Sequence, residues 1–363
     1  MIHKQFTSNI ISWYYSNKRK LPWRETTNPY YIWISEIILQ QTRVSQGLPY
    51  YQKFVEVFPT IQDLANAREQ DVLSLWQGLG YYSRARNMHK CAKVIKSELN
   101  NMFPESFEKL LKLPGIGPYT AAAISSLAFN NPTPVVDGNV YRVLARVFGI
   151  ENNIADAKNF KLFFDLSAEL IDRKEPGSYN QGVMELGATV CSPQNPDCGI
   201  CPVEEVCFAR ANKRQKEFPV KIKKKKNTDR YFTYLVLEQN GTLAMKKRVG
   251  KGIWEGMYEF YLIENKAYTK TDNISSSLLS NLLANGGVIE REDKLPKHIL
   301  SHQTIYSSFI KINLKSRDNW DAFLAKNDLF LYSQTEIETL PKPVLITNYL
   351  NSVSKSINLQ DKQ

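Results

Sequence analysis

The chain has 363 residues, which is long for one compact domain and comfortable for two. Hydrophobic residues make up 43% of the chain and charged residues 23%, which predicts a folded protein and excludes a disordered one. The formal net charge is +11. This excess favours a polyanionic partner, because cations that neutralise phosphates release condensed counterions; a basic surface that serves only solubility is the alternative.

No apolar run approaches the roughly 20 residues that cross a bilayer, and the N-terminal sequence MIHKQF has no signal-peptide core. We therefore expect no contact with a membrane, and a location in the cytoplasm or, in a eukaryote, in the nucleus. In a reducing compartment, a tight group of cysteines favours a metal site over disulfides.

The early part of the chain is predicted to be helical. Between Arg84 and Leu99, apolar residues recur at steps of three and four and form one helix face. Cys91 lies on that face, apart from the other four cysteines. We interpret it as a small buried hydrophobic residue rather than as a metal ligand.

A lysine-rich stretch, KRQKEFPVKIKKKK at residues 213–226, follows. Such a charge run cannot cover a core and predicts an exposed linker, with contact to the phosphates of a partner as the alternative. We place the linker at residues 218–228, between a helical domain at residues 1–217 and a smaller domain at residues 229–363.

Beyond the linker the pattern changes to strands. Residues 231–237 are rich in aromatic and β-branched side chains, Asn240-Gly241 predicts a hairpin turn, and residues 242–247 form the returning strand. Residues 310–314 alternate apolar and polar side chains, which predicts a half-exposed strand, and a leucine-rich stretch before them predicts a short helix. The second domain is therefore predicted to be α+β.

Four cysteines, Cys191, Cys198, Cys201 and Cys207, are separated by six, two and five residues. Prolines and a glycine between them disfavour a helix, so the segment 191–207 is expected to wrap around a metal centre. Zinc with four thiolate ligands is one interpretation, although zinc ribbons usually pair two C-x-x-C units and this segment has one. A [4Fe–4S] cluster accommodates the uneven spacing and is the interpretation that we favour.

The segment LPGIGPYTA at residues 113–121 has the form of a hairpin between two helices. Gly115 and Gly117 permit positive φ and close backbone approach, and the N–H groups at the start of the second helix form an anion site suited to a phosphate. The segment VVDGNV follows at residues 135–140. By itself, its Asp137 is typical of a helix N-cap or a turn.

Together these three segments resemble the helix-hairpin-helix DNA glycosylases of the endonuclease III and MutY branch. The resemblance implies a mainly α fold, a [4Fe–4S] cluster on the four cysteines, and contact of Gly115 and Gly117 with the DNA backbone. It also implies that Asp137 is the catalytic carboxylate beside the sugar of the flipped nucleotide. An ionised carboxylate there stabilises the oxocarbenium character that the departing base leaves on the sugar.

Tyr119 distinguishes between the branches of this superfamily. Bifunctional members, such as the endonuclease III type, carry a lysine nucleophile in the helix after the hairpin, and Tyr119 stands at the corresponding place. A phenol cannot form a Schiff base. The resemblance therefore implies a monofunctional glycosylase without efficient strand cleavage, with Tyr119 among its catalytic residues.

Glu36 interrupts an apolar segment, and its neighbours three residues away, Trp33 and Leu39, are also apolar. A surface glutamate on an amphipathic helix is the alternative, but these neighbours argue against a solvated face. Burial raises the pKa of a carboxyl and keeps it protonated, as a general acid requires.

The segments LPWR at residues 21–24 and SEIILQQT at residues 35–42 resemble the MutY-type adenine DNA glycosylases. The resemblance implies that Glu36 protonates a ring nitrogen of adenine and that Asn139 positions Asp137 and the attacking water. It implies further contacts for six residues: Trp23, Arg24 and Gln181 in the adenine pocket, Gln41 and Thr42 on the opposite strand, and Tyr81 as a wedge in the duplex. Without this motif, adjacent tyrosines are more often core residues.

MutY proteins carry a Nudix-like domain that recognises 8-oxoguanine, and residues 252–260 resemble its G-x-W-E-F-P segment with an insertion. We find no R-E-x-x-E-E helix of a Nudix hydrolase, which argues against nucleotide hydrolysis. Leu300, Ser301 and His302 resemble the F-S-H loop that contacts the oxidised base. The resemblance implies lesion contacts for Ser301 and His302 and an aliphatic intercalating residue at position 300; an ordinary loop before a strand is the alternative.

The sequence thus predicts a monofunctional adenine DNA glycosylase of base excision repair. We expect it to act as a monomer on adenine opposite 8-oxoguanine or guanine in double-stranded DNA, and in a bacterium to be cytoplasmic and associated with the nucleoid. The nearest alternative is an endonuclease III-like pyrimidine glycosylase and lyase, which Tyr119 and the second domain disfavour. A non-catalytic DNA-binding iron–sulfur protein is the alternative from another class, and it would need no carboxylates at positions 36 and 137.

Overall fold

The computed structural model describes residues 2–222, 228–250, 252–267, 277–284, 286–300, 302–314 and 320–360. The chain divides into two compact units, the first comprising Met1–Ala67 and Arg86–Lys224, and the second comprising Arg68–Ala85 and Lys225–Gln363. The division after Lys224 falls within the predicted linker, whereas residues 68–85, which were predicted within the helical domain, group with the second unit. In the described part of the chain, no helix has the length and apolarity that a membrane span needs.

Helices form the first unit, as the sequence predicts. The helices before the linker are, in chain order, α1 Ile2–Asn17, α2 Pro29–Ile38, α3 Val44–Val57, α4 Ile61–Asn66, α5 Glu69–Leu75, α6 Ser83–Glu98, α7 Phe107–Leu110, α8 Pro118–Phe129, α9 Gly138–Phe148, α10 Phe160–Leu170, α11 Pro176–Thr189 and α12 Phe208–Ala211. Of these, α5 and the beginning of α6 belong to the second unit.

Helix α8 lies at the centre of the first unit. Its sequence, PYTAAAISSLAF, is apolar or small on nearly every side, and residues 120–126 are all buried, as expected for a helix that is surrounded by others. Helices α2, α7 and α11 pack against it. Gly117 is its N-cap with Pro118 in the first turn, and Asn130 ends it in a left-handed conformation at φ 55°.

The predicted hairpin lies between α7 and α8. Gly115 has φ +74°, and a Cβ atom there would lie 2.5 Å from the Cβ of Asn87. Gly117 has φ −91°, which any residue adopts, and a Cβ there would meet no described atom within 4 Å. Of the two positions, only 115 therefore requires glycine for the backbone conformation of the turn.

A mixed β-sheet forms the centre of the second unit. Its strands are β1 Thr228–Gln239, β2 Thr242–Lys247, β3 Tyr258–Glu259, β4 Tyr261–Asn265, β5 Gly287–Lys294, β6 His298–Ile299, β7 Gln303–Leu314 and β8 Phe330–Tyr332. Strands β1 and β7 run parallel to each other. Strands β2 and β4 pair antiparallel with β1, β5 and β6 pair antiparallel with β7, and β3 and β8 pair with β2.

Helices cover both faces of this sheet. They are α13 Ser277–Ala284, α14 Asp321–Lys326, α15 Gln334–Thr339 and α16 Val344–Gln360. Side chains of β1 alternate between two cores: Phe232 and Tyr234 join the core with α15 and α16, whereas Leu235 and Leu237 join the core with α13 and α14. The fold class that the sequence predicts, a helical domain followed by a smaller α+β domain, is confirmed.

Helix α5 and the turn after it join the second unit through polar contacts. Ser74 Oγ donates a hydrogen bond to the Thr339 carbonyl oxygen at 3.0 Å, and Gln77 Nε2 donates to Thr347 Oγ1 at 3.2 Å. Because these partners lie far apart along the chain, local sequence patterns carry no sign of them. This accounts for the difference from the predicted domain boundary.

Two local predictions are confirmed. Helix α6 occupies the segment with the apolar periodicity, and Cys91 on it is fully buried, which raises the pKa of its thiol to about 12. The turn between β1 and β2 consists of Asn240 and Gly241, both with positive φ, as that dipeptide predicts.

We expect Gly115→Ala to destabilise the protein and Gly117→Ala to change its stability little. Alanine at position 115 must adopt a left-handed φ and crowd Asn87, which costs about 1–3 kcal/mol. At position 117 the change should stay within about 0.5 kcal/mol. Thermal unfolding of the two variants, followed by circular dichroism, provides the comparison; equal destabilisation would contradict this assignment of the strained position.

Candidate active site

Glu36 lies in helix α2. The helix begins after Asn28, whose side chain accepts a hydrogen bond from the Tyr30 N–H at 2.9 Å, and Pro29 occupies the first turn. Residues 32–38 are buried without interruption, and Glu36 itself is only 5% exposed. Glu36 therefore does not lie on a solvated helix face, in agreement with the interpretation from its apolar neighbours.

The carboxyl of Glu36 meets the phenol of Tyr119, which lies in the first turn of α8. Tyr119 Oη donates a hydrogen bond to Glu36 Oε2 at 2.5 Å. Burial is the main cause that raises the pKa of Glu36 to about 7, and the charge of Asp137 raises it further. The hydrogen bond from Tyr119 and the charge of Arg24 lower the pKa but do not outweigh burial. At neutral pH, Glu36 is thus divided between its protonated and its ionised form.

Asp137 caps the N-terminus of helix α9. Its Oδ1 accepts from the backbone N–H groups of Asn139 at 2.9 Å and Val140 at 2.8 Å, and its Oδ2 accepts from the Asn139 side-chain amide at 2.8 Å. Burial raises the pKa of Asp137, and these hydrogen bonds oppose that rise. The residue is the N-cap that its local sequence suggests, and it is also close enough to Glu36 to influence its pKa.

Asn139 connects Asp137 to a buried arginine. Arg142 Nη2 donates to Asn139 Oδ1 at 2.8 Å and to the Gly187 carbonyl oxygen at 2.7 Å, and Arg142 Nε donates to the Cys191 carbonyl oxygen at 2.8 Å. Because the Asn139 oxygen accepts from this arginine, its amide nitrogen is left to donate to Asp137. A Cβ atom on Gly187 would lie 2.5 Å from the Asn139 Cβ, so α9 and α11 touch at this point.

The three residues predicted for a base pocket lie together. Trp23, Arg24 and Gln181 line one cleft of about 300 Å³. Arg24 Nε donates to Gln181 Oε1 at 3.2 Å, and Arg24 Nη2 donates to Glu185 Oε2 at 2.7 Å. The charge of Arg24 also lowers the pKa of Glu36, which links this cleft electrostatically to the buried carboxyl.

Glu185 is a residue of this site that the sequence reasoning missed. Its side chain is fully buried, and besides Arg24 it accepts from Arg19, through the backbone N–H at 3.0 Å, Nε at 2.7 Å and Nη2 at 2.6 Å. Burial alone would raise the pKa of Glu185, but the hydrogen bonds from the two arginines outweigh it and lower the pKa to about 2. The signal was present in the sequence, because Gln181 and Glu185 are four residues apart on one helix and share a face.

The four cysteines of the segment 191–207 have free thiols and line one cavity. Arg146 Nη1 lies 3.3 Å from Cys191 Sγ, and Gln215 Nε2 lies 3.8 Å from Cys198 Sγ, so that two of the sulfurs accept from N–H donors. Four convergent thiols with such donors fit a metal–thiolate group in their chemistry. In the described segments, no set of three or more His, Cys, Asp and Glu side chains has the arrangement of a preformed site for a single metal ion.

Gln41 and Thr42 lie in the segment between α2 and α3. Gln41 is exposed and has a left-handed backbone at φ 57°, and Thr42 Oγ1 donates to the Gln40 carbonyl oxygen at 3.4 Å. Gln40 in turn contacts α8, because its Nε2 donates to Thr120 Oγ1 at 3.2 Å. The segment is thus tied to the central helix, while Gln41 remains open to an external partner.

Tyr81 belongs to the second unit and lies in the turn between α5 and α6. It is 45% exposed and has a left-handed backbone at φ 49°. The Arg84 guanidinium lies over the rings of Tyr81 and Trp76, at 5.8 and 5.0 Å from their centroids, and donates to the Gly80 carbonyl oxygen at 3.1 Å. The core residue of the tyrosine pair is therefore Tyr82, which is buried, and Tyr81 is its surface member.

His302 lies in the turn between β6 and β7, which Leu300 N closes by donating to the Gln303 carbonyl oxygen at 2.8 Å. Ser301 is outside the described residues. The side chain of Leu300 packs against a core of the second unit, whereas Ile299 is 63% exposed. Ile299 is thus the more exposed aliphatic side chain of this hairpin, and the intercalating role of Leu300 stays a prediction.

Comparison with known proteins identifies both units. Residues 34–166 match the HhH-GPD superfamily of base excision DNA repair proteins, and residues 233–352 match the NUDIX domain. The chain is 36% identical over 343 residues to an adenine DNA glycosylase of Buchnera aphidicola subsp. Schizaphis graminum, which covers 93% of this chain and 96% of that protein. It is 44% identical over 221 residues to the adenine DNA glycosylase of Homo sapiens, which covers 58% of this chain and 40% of that protein.

A solved structure agrees with the assignment of the helical part. A thermostable thymine-DNA glycosylase superimposes with a TM-score of 0.54 at 29% identity, over 58% of this chain and 97% of that chain. The match to the Buchnera protein extends over nearly the whole of both chains, and the two domain matches follow in the order that the fold shows. The chain therefore belongs to the adenine DNA glycosylases of the HhH-GPD superfamily, with a Nudix-like second domain.

Proposed function

We propose that this protein is a monofunctional glycosylase that hydrolyses the bond between adenine and its sugar in double-stranded DNA, where the adenine is mispaired with 8-oxoguanine or guanine. The observation that carries the proposal is the pair of carboxyls, Glu36 and Asp137, in one largely buried site. Tyr119, which donates a hydrogen bond to Glu36, is a phenol and supports the monofunctional assignment. The relatives of the chain are named adenine DNA glycosylases, which supports adenine as the base.

Glu36 acts as the general acid in this proposal. Because its pKa is raised to about 7, a large fraction carries a proton at physiological pH and can give it to a ring nitrogen of adenine. When the bond to the sugar breaks, its electron pair goes to the base, and the proton from Glu36 lets adenine leave as a neutral molecule. Tyr119 then stabilises the carboxylate that remains, because its O–H already donates to Oε2.

Asp137 acts on the sugar. In its ionised form it stabilises the positive charge that develops at the anomeric carbon. Its hydrogen bonds to two backbone N–H groups and to the Asn139 amide fix both oxygens before the substrate arrives. Asn139, which Arg142 holds, positions the water whose oxygen bonds to that carbon and whose proton passes to the carboxylate.

The alternative of a glycosylase and lyase lacks its nucleophile at the expected place. Tyr119 has no amine, and its phenol is buried, which raises its pKa well above the ordinary value. A neutral phenol is a weak nucleophile and forms no Schiff base. We therefore propose that water completes the reaction and that the product is an abasic site in an intact strand.

We propose that the hairpin, Gln41, Thr42 and Tyr81 hold the DNA. The backbone N–H groups at Gly115 and Gly117 precede the N-terminus of α8, where a phosphate is favoured. Gln41 and Thr42 would contact the strand opposite the adenine, and Tyr81 would enter the duplex as a wedge. The exposure of Gln41 and of Tyr81 is consistent with these contacts.

We propose that Cys191, Cys198, Cys201 and Cys207 hold a [4Fe–4S] cluster. The endonuclease III-like superfamily commonly carries an iron–sulfur cluster. Four free thiols line one cavity, and their uneven spacing, with a single C-x-x-C unit, favours this cluster over zinc. When bound, the cluster would cross-link the segment 191–207, which has little regular structure, and would thereby stabilise it. Arg146 supports this loop, since it donates to the carbonyl oxygens of Ser192 and Pro193 at 2.8 and 3.0 Å.

We propose that residues 229–363 form the part of a monomeric enzyme that reads the base opposite the adenine. The NUDIX match covers this part of the chain. The turn with Ser301 and His302 would contact 8-oxoguanine, and the exposed Ile299 beside it is available to pack against the bases. Residues 1–217 would then carry out the chemistry, with residues 218–228 as the linker.

Base release tests the function directly. We expect the native protein to remove adenine from duplexes in which it faces 8-oxoguanine or guanine, and to leave adenine opposite thymine intact. The strands should break only after alkali treatment, and borohydride should trap little covalent complex. His302→Ala should reduce the preference for 8-oxoguanine over guanine by about twofold to tenfold, because one lost hydrogen bond changes the free energy of binding by about 0.5–1.5 kcal/mol.

Lys297→Ala is the matched control for His302. It removes an exposed cation from the same hairpin and should weaken binding to both duplexes equally, because phosphate contacts carry no base information. A preference that is unchanged by His302→Ala would remove this turn from lesion reading. Efficient borohydride trapping would refute the monofunctional assignment.

Glu36→Gln and Asp137→Asn should each lower the single-turnover rate by at least about a hundredfold. The first substitution removes the proton donor, and the second removes the negative charge that stabilises the sugar cation. The exposed Glu56→Gln on α3 is the control and should have the native rate. The native rate should fall as pH rises above about 7, because only protonated Glu36 can act as the acid. A native rate for either variant would refute the corresponding role.

Glu36→Gln also has an expected effect on stability that does not depend on activity. The folded pKa of Glu36, about 7, lies above its ordinary value, so the native protein loses stability as pH rises from about 4.5 through 7. The variant lacks this loss and should be more stable than the native protein at pH 8, by about 1–3 kcal/mol, and similar to it near pH 4. Chemical denaturation at the two pH values measures the difference.

Metal analysis tests the cluster. The purified protein should be brown and contain about four irons per chain. Cys198→Ser should lose iron and unfold at a lower temperature, whereas Cys91→Ala, at the buried cysteine outside the segment, should retain the iron. A colourless protein with stoichiometric zinc would decide for the alternative metal.

A further inference from the structure

We infer that Glu185 is a positioning residue that, through Arg24, turns the Gln181 side chain into a hydrogen-bond donor toward the flipped base. The inference rests on the proposed function, because it specifies how the base pocket recognises adenine. Gln181 would contact the base, and Glu185 would act on the base only through two intervening side chains.

The three side chains form one chain of hydrogen bonds. Glu185 and Gln181 lie one helical turn apart on α11, and Arg24 bridges them, donating through Nη2 to Glu185 Oε2 at 2.7 Å and through Nε to Gln181 Oε1 at 3.2 Å. The side chain of Arg24 is 6% exposed, and that of Glu185 is fully buried. A carboxylate in such surroundings holds a guanidinium firmly, because neither group has water as an alternative partner.

This arrangement fixes the polarity of the Gln181 amide. A guanidinium can only donate hydrogen bonds, so the atom of Gln181 that faces Arg24 must be the oxygen. The amide nitrogen therefore points away from Arg24, and within the described residues no partner accepts from it. Gln181 is 7% exposed and lines the cleft with Trp23 and Arg24, so a bound ligand can supply the missing acceptor.

An unpaired donor in this cleft selects for an acceptor. A ring nitrogen of adenine that carries a lone pair meets this requirement, whereas the exocyclic amine of adenine and any ring N–H do not. If Arg24 were not fixed, the amide could rotate and present its oxygen, and the selectivity for a lone pair would be lost. Glu185 thus determines which hydrogen-bond pattern the pocket accepts.

Arg19 provides a control within the same cluster. It donates three hydrogen bonds to Glu185 but has none to Gln181, and its side chain is 39% exposed. If Glu185 serves only to tie α11 to the segment after α1, loss of the Arg19 side chain should matter as much as loss of the Glu185 charge. If Glu185 positions Gln181, only the loss of Glu185 should change base recognition.

The test combines variants with adenine analogues in single-turnover assays opposite 8-oxoguanine. The substrates carry adenine, 1-deazaadenine, 3-deazaadenine or 7-deazaadenine, each of which removes one ring nitrogen. The analogue that lacks the nitrogen protonated by Glu36 should nearly abolish release by every variant and is set aside. Of the other two, we expect one to slow the native enzyme by about tenfold, as loss of a single hydrogen bond does. Glu185→Gln should slow adenine release by a similar factor and should not be slowed further by that analogue, because the contact is already lost. Arg19→Met should release adenine within about twofold of the native rate. The analogue should slow this variant as much as it slows the native enzyme.

Arg24→Lys covers the case in which Glu185→Gln does not fold, since it keeps the positive charge but has no Nε donor for Gln181. The analogue should not slow Arg24→Lys any further than the substitution itself does. An analogue penalty that adds in full to the effect of Glu185→Gln or Arg24→Lys would overturn the inference, and so would equal loss of base recognition in Arg19→Met. Absence of adenine release by the native enzyme would instead refute the proposed function itself.

Discussion

The burial of the Glu36 carboxyl in an apolar helix is the constraint around which the site is built. Removed from water, this group resists ionisation, and its pKa rises to about 7. Its partner must satisfy the carboxyl without forcing it to ionise, and a phenol does this where an ammonium group would not. A lysine in place of Tyr119 would supply a nucleophile, but it would also lower the pKa of Glu36 and remove the acid. The phenol therefore links the monofunctional proposal to the acid role.

Three carboxyls within this unit differ in how their surroundings shift their pKa values. Glu36 has one phenol and a more distant arginine, and burial dominates. Glu185 is at least as deeply buried, but two guanidinium groups contact it directly and lower its pKa to about 2. Burial raises the pKa of Asp137 as well, but backbone N–H groups at a helix N-terminus oppose this rise. Burial alone therefore does not identify an acid; the nature of the donors decides.

The sequence could predict those features that depend on local patterns. The hairpin, the N-cap at Asp137, the buried position of Glu36 and the helical and strand segments all follow from periodicity, glycine and capping residues within short windows. Contacts between distant segments could not be predicted this way, which is why the pairing of Arg19 and Arg24 with Glu185 and the grouping of residues 68–85 with the second unit were missed. At position 300, a motif comparison identified the hairpin, but strand alternation decides that Ile299 is exposed.

Helix α11 connects the two halves of the proposed chemistry. One face carries Gln181 and Glu185 toward the base pocket, and Gly187, near its end, lets α9 approach so closely that a Cβ atom would overlap Asn139. On the other side, Gly182 admits α1, where a Cβ atom would lie 2.7 Å from Ile10. Because close-packed interiors transmit displacements, a shift of α11 would move the base contact and the support of Asp137 together. The base and the sugar are thus positioned by one rigid element, and this coupling favours the geometry in which acid and carboxylate act on the same bond.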